Sequence, residues 1–214
     1  MRRLLSVIAL LGLAACTTGS PRPKPAELPA ITPAIAARQV WTAQLGTIDF
    51  PLSVRARPQS VVLAGGNGTV SELDIGSGRA LWSVSVGAAL AAGVGTDGTT
   101  TAVVTRDNEL LALREGKIAW RHRLAAQAYA APLVAGGRVF QLTADRAVSA
   151  FDANGGQRLW VQQRPGSDPL VLRQAGVMLP YGDTLLVGLG GRLSALNPLN
   201  GSVRRDASTG GCPE

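Results

Sequence analysis

Four stretches decide the fold: GTVSELDIGSGRALW (68–82), NELLALREGKIAW (108–120), RAVSAFDANGGQRLW (146–160) and GRLSALNPLNGSVRR (191–205). Their final residues, Trp82, Trp120, Trp160 and Arg205, lie 38, 40 and 45 positions apart. A period of this length belongs to solenoids and propellers, in which each unit buries its faces against its neighbours. Within each unit an apolar strand comes first (Ser60–Ala64, Thr101–Thr105, Arg138–Leu142, 184–188). A turn and a second strand follow (70–73, 110–113, 148–151, 193–196), then a turn rich in Gly, Asn or Asp. A third strand is expected to end at the tryptophan. Short strands between polar turn clusters at regular spacing predict an all-β array. Leu110, Leu111, Ala112 and Leu113 are apolar on both faces, as in a sheet covered on both sides. Radially stacked blades provide such cover, and a single open sheet does not.

Outside the repeats, the N-terminus reads Met1-Arg2-Arg3, an apolar run from Leu4 to Ala15, then Cys16. Basic residues, a short apolar core and small residues before a cleavage point predict a secretory signal peptide over residues 1–15. The run is shorter than the about 20 residues that span a bilayer. Leu13-Ala14-Ala15-Cys16 resembles the bacterial lipobox, which implies that Cys16 is lipidated. Thr17, where aspartate would signal inner-membrane retention, implies the periplasmic face of the outer membrane. Residues 16–38 carry Pro21, Pro23, Pro25, Pro29 and Pro33. That composition predicts an extended tether with a reach of roughly 60 Å at about 3.1 Å per residue.

Charge and cysteine content narrow the function further. Loss of Arg2 and Arg3 on processing leaves 19 basic against 14 acidic residues, with the arginines scattered. Nucleic-acid binding calls for clustered charge and stacking aromatics, and neither pattern is present. With Cys16 lipidated, Cys212 has no cysteine to pair with. Gly65-Gly66-Asn67-Gly68 lacks the Lys-Ser or Lys-Thr of a phosphate loop and reads as a turn. His122, the one histidine, has no ligand set at metal spacing and reads as an exposed strand residue between Arg121 and Arg123.

The repeats resemble the quinoprotein-type propeller motif, G-x-L-x-A-L-D-x-x-x-G-x-x-x-W. Together with the lipobox and the tether, they resemble the BamB family of outer-membrane protein assembly factors, from about Met1 to Gly210. The resemblance implies an all-β, eight-bladed quinoprotein-repeat propeller, of which about four blades are present: 53–87, 88–125, 126–166 and 167–209. Recurrence of Trp41, Trp82, Trp120 and Trp160 at one repeat position predicts packing between blades. The stretch 40–46 matches the end of a unit and is expected to be a clasp strand for a last blade. The family resemblance implies a non-enzymatic scaffold without cofactor or small-molecule substrate, bound to the periplasmic domains of the central assembly subunit BamA. The stretch matching the family's contact is Leu170-Val171-Leu172-Arg173. If extended, Leu170 and Leu172 share one face and Arg173 lies on the other. The alternative makes Leu170 and Leu172 the buried face of a blade's first strand.

Two other functional classes fit the repeat. Quinone-dependent dehydrogenases carry it too, but this chain lacks adjacent cysteines and its acidic residues lie mostly at turns. A generic envelope interaction propeller is the other. Arg205 breaks the tryptophan pattern, and residues 210–214 abandon the repeat. The expectation is a frameshift or premature stop near codon 210, and hence an incomplete ring.

Overall fold

Among the described residues, sixteen strands are sorted by their hydrogen bonds into four antiparallel sheets of four, each taking consecutive strands in chain order. These are blades of a β-propeller. The structure, a computed structural model, describes residues 38–164 and 176–208. The first sheet holds β1 (Arg55–Ala56), β2 (Ser60–Ala64), β3 (Thr69–Asp74) and β4 (Ala80–Ser85). The second holds β5 (Leu90–Thr96), β6 (Thr101–Thr105), β7 (Glu109–Arg114) and β8 (Lys117–Arg123). The third holds β9 (Leu133–Ala135), β10 (Arg138–Leu142), β11 (Ala147–Asp152) and β12 (Arg158–Gln163). The fourth holds β13 (Val177–Tyr181), β14 (Thr184–Leu189), β15 (Arg192–Leu196) and β16 (Val203–Ser208). Each sheet therefore has a strand that the repeat pattern did not reveal. β1, β5, β9 and β13 precede the first apolar strand of their units.

Burial explains the sequence pattern. The middle strands β2 and β6 are buried along their whole length, because both faces are covered: β6 lies between the first and third sheets, and β2 between the second sheet and the side chains of Trp41 and Leu45. The outer strands β4 and β12 alternate between exposed and half-buried, with one face turned to solvent. Successive sheets share apolar clusters. Val62, Val70 and Val86 of the first unit pack with Leu90, Val103 and Leu111 of the second. Val104, Leu110 and Trp120 meet Val134, Val139 and Phe151 of the third. Leu133, Phe140 and Val148 meet Met178, Leu185 and Leu196 of the fourth. On the far face of the fourth sheet, Val177, Leu179, Tyr181 and Leu193 are exposed.

The tryptophans do not end the outer strands; they sit inside them, next to a bulge. In the first sheet Glu72 faces Trp82 and Leu73 faces Ala80, so Leu81 is an extra residue. The same shift separates Ala112 from Leu113, Ala150 from Phe151 and Ala195 from Leu196. A bulge re-aims the side chain beside it, and here it turns each indole toward the next sheet. Arg205 faces Ala195 in the register that Trp160 holds opposite Ala150.

The indole then meets a glycine. A Cβ on Gly78, Gly156 or Gly201 would lie within 2.7 Å of a ring atom of Trp41, Trp120 or Trp160 respectively. These glycines also have φ of +70°, +72° and +75°, a region costly for side chains bearing a Cβ. Asp74 and Asp152 shape the turns, their carboxylates accepting backbone N–H groups of Ser77 and of Asn154 and Gly155 at 2.7–2.9 Å.

Residues 40–46 correct the expected clasp: no strand forms there. Trp41 and Leu45 instead pack on Val61, Leu63 and Leu73 of the first sheet. The segment follows the course of an outer strand, but no strand among the described residues offers it a ladder. Its side chains hold it in place. His122 also departs from expectation. It is half-buried, with its ring 4.6 Å from that of Phe151 in the seam between the second and third sheets. Burial there lowers its pKa below 6.5, and Arg158 lowers it further.

Two outcomes follow. Gly156→Ala is expected to cost about 3 kcal/mol and Gly136→Ala about 1, measured by urea denaturation. Both positions have positive φ, but only Gly156 carries an indole, so the difference reports the tryptophan contact. A base with a depressed folded pKa leaves the unfolded chain binding more protons, so stability is lost as pH falls below 6.5. Denaturation between pH 7 and pH 5 should show this slope, and His122→Phe should flatten it.

Candidate partner-binding site

Leu170, Leu172 and Arg173 lie outside the described residues, as do Cys16 and residues 210–214. The structure does describe both ends of the connection that carries the Leu-x-Leu-Arg stretch. That connection leaves β12 at Arg164 and returns at Gly176 before β13.

Arg164 is the fourth residue after Trp160. The fourth residue after each of the other tryptophans is apolar: Leu45, Val86 and Leu124. Leu45 packs on the first sheet, and Val86 and Leu124 are buried. Arg164 takes the same place and is 8% exposed. Its Nη2 donates to the Ser194 hydroxyl, which in turn donates to Asp206, and it forms an ion pair with Asp206 at 3.8 Å. Burial pushes the guanidinium pKa down, and Asp206 opposes that shift. Nη1 has no hydrogen-bond partner among the described residues. The third sheet is thus tied to the fourth by a charged plug where the other seams use an aliphatic one.

Gly176 marks the other end. A Cβ there would press on the Leu142 side chain of β10 and lie 2.9 Å from Gly188 O of β14, so the chain passes close to both the third and the fourth sheet. One end of the connection is therefore fixed by Arg164 on the fourth sheet, and the other by contact with the third and fourth.

The tryptophans make three similar seams and one different one. Trp41 donates its indole N–H to Ile75 O at 2.8 Å, Trp120 to Ala153 O at 3.0 Å and Trp160 to Pro198 O at 3.1 Å. Trp82 donates instead to Glu72 Oε2 in its own sheet, at 2.6 Å. A cleft of about 490 Å³ lies beside it, lined by Glu72, Trp82, Gly98, Thr99, Thr101, Arg114 and Glu115. Neither Glu72 nor Arg164 was singled out from the sequence. The signal for Glu72 is its register, since alanine holds the matching places at 112, 150 and 195. For Arg164 it is the charge at a position that is apolar after the other tryptophans. Among the described residues, no three His, Cys, Asp or Glu side chains gather as metal ligands.

The family model described as outer membrane protein assembly factor BamB matches residues 66–213. The chain belongs to the BamB family. It is 38% identical to the outer membrane protein assembly factor BamB of Bordetella pertussis, over 94% of this chain and 53% of that protein. With the BamB of Burkholderia pseudomallei it shares 37% identity, over 88% of this chain and 51% of that protein. The chain thus spans about half the length of these relatives. Among solved structures, BamB from Moraxella catarrhalis superposes with a TM-score of 0.64 at 23% identity, covering 73% of this chain and 48% of that one. A europium-containing methanol dehydrogenase superposes at 0.61 with 15% identity, covering 80% of this chain and 44% of that one. At these identities both likenesses concern the fold alone.

Replacing Arg164 with leucine, the residue type of the other seams, should change stability by less than about 1 kcal/mol or raise it. Asp206→Ala should cost roughly 1–2 kcal/mol by leaving the guanidinium without its counter-charge. The half-exposed Asp206 keeps that figure below the cost for a fully buried pair. Urea titration of the two variants checks the pair.

Proposed function

We propose that the chain is a non-enzymatic scaffold lipoprotein of the outer-membrane β-barrel assembly machinery. In this reading Cys16 carries the lipid, the proline-rich tether spaces the blades from the periplasmic face of the outer membrane, and the blades hold BamA by its periplasmic domains. The scaffold assists insertion of β-barrel proteins. The observation that carries this reading is the BamB-family match along most of the chain. Leu170, Leu172 and Arg173 are the proposed contact. Two apolar anchors beside an arginine make a compact hot spot, and a loop fixed at both ends to packed sheets presents them at low entropic cost.

The test is co-purification. A tagged full chain, expressed with its own leader, is expected to retain the periplasmic domains of BamA. Leu172→Ala and Arg173→Ala should each weaken capture by about tenfold, equivalent to about 1.4 kcal/mol. Retention unchanged in both variants would move the contact elsewhere, and no retention by the parent chain would remove the reading.

A further inference from the structure

In three seams the indole rests on the glycine of a full-length turn, and a carbonyl of that turn accepts its N–H. Those turns start from Asp74, Asp152 and Asn197, and each runs eight positions to residue 82, 160 or 205. In the second sheet only six positions separate Arg114 from Trp120. Glu115 and Gly116 alone join β7 to β8, with φ of +47° and +71°, the short hairpin turn that positive φ at both residues allows. The two missing residues include the counterpart of Ile75, Ala153 and Pro198. Trp82 therefore has a glycine to rest on, Gly116, but no carbonyl to receive its N–H. The cleft lies beside this short turn, with Arg114 and Glu115 in its lining.

We propose that this seam is a peptide-docking slot that takes a turn of a partner polypeptide carrying a basic side chain. The three other seams specify the backbone part of the ligand: a peptide carbonyl placed to accept an indole N–H. Glu72 specifies the side chain. Its carboxylate, 14% exposed, accepts from Trp82, from the Ser60 hydroxyl and from Arg57 at 3.0 Å. When an incoming carbonyl takes the Trp82 N–H, Oε2 loses its donor at the cleft wall. A half-buried carboxylate oxygen is best satisfied by a replacement donor, and an ammonium or guanidinium supplies one with charge. Glu115 stands exposed at the rim and makes no ion pair among the described residues, adding negative charge on the same side. Arg114 does not fill the role, because it reaches away to Ala153 O, to Asn154 and to the Thr100 hydroxyl. The cleft volume falls within the about 300–1,000 Å³ usual for ligand sites.

The indole N–H signals of the ¹⁵N-labelled full chain provide the readout, with Trp82 assigned through Trp82→Phe. One probe is the blocked hexapeptide Asp-Ala-Asn-Gly-Gly-Gln, the sequence of this chain's own 152–157 turn. The other is its counterpart with lysine replacing asparagine. The lysine peptide should shift the Trp82 signal alone, with a midpoint of about 1 mM, and bind about tenfold more tightly than the asparagine one. Glu72→Ala should erase that preference. A second variant, with Asn-Gly inserted between Glu115 and Gly116, restores the full-length turn and should abolish binding. This variant keeps the test decisive even where loss of Glu72 prevents folding. The proposal is overturned by an unmoved Trp82 signal, by equal shifts at all four tryptophans, by a lysine preference that survives Glu72→Ala, or by binding that survives the insertion.

Discussion

Stacking of sheet on sheet rests on one contact: an indole laid on a glycine that can exist only with positive φ. Each half of the contact requires the other. The Asx turn brings the glycine to the surface of one sheet, and the bulge before the tryptophan turns the ring out of the preceding one. The indole N–H then finds a carbonyl on the same turn, so the most polar atom of a large apolar side chain is not left unpaired. A β-sheet with two apolar faces is unstable alone, and this contact sets the spacing at which the next sheet covers it. Stability of such an array is mainly local terms plus nearest-neighbour terms, so each seam can be judged separately.

Judged that way, the seams divide the molecule unevenly. The seam between the second and third sheets is the most regular. Trp120, Leu124 and Phe151 are buried there, and His122 stacks at the edge. The seam between the first and second lacks part of its turn and compensates with Glu72. The seam between the third and fourth exchanges an aliphatic plug for Arg164 and needs Ser194 and Asp206 to hold it. Arg205 repeats the tryptophan register on a sheet face that stays exposed among the described residues. Arg205 itself is exposed.

The period and the apolar second strands were enough to read the blade architecture, because both report burial on two faces. The first strands β1, β5, β9 and β13 were not legible. β1 and β9 are only two and three residues long, and β5 is rich in Ala and Gly, so their pairing comes from the sheet rather than from propensity. The place of the tryptophans within the outer strands was missed because a bulge leaves no compositional mark. It shows only as register. Residues 40–46 carried the signature of an outer strand, and they occupy that place without its hydrogen bonds. The side-chain pattern encodes docking onto a neighbour, and a ladder needs a partner that pattern alone does not supply.

The candidate site was legible only as family likeness. What the fold adds is the packing at the two described ends of the connection that carries the proposed contact. The described ends of that connection, Arg164 and Gly176, each contact a neighbouring sheet. Arg164 is a poor choice for stability alone, because a buried guanidinium with one nitrogen unpaired among the described residues forfeits solvation that leucine would never have had. Its value is directional: a guanidinium bonded to a hydroxyl and a carboxylate fixes orientation as an aliphatic plug cannot. A charged residue retained at an otherwise apolar position, immediately before the proposed contact segment, fits a seam shaped by the need to aim that segment rather than by the need to hold two sheets together.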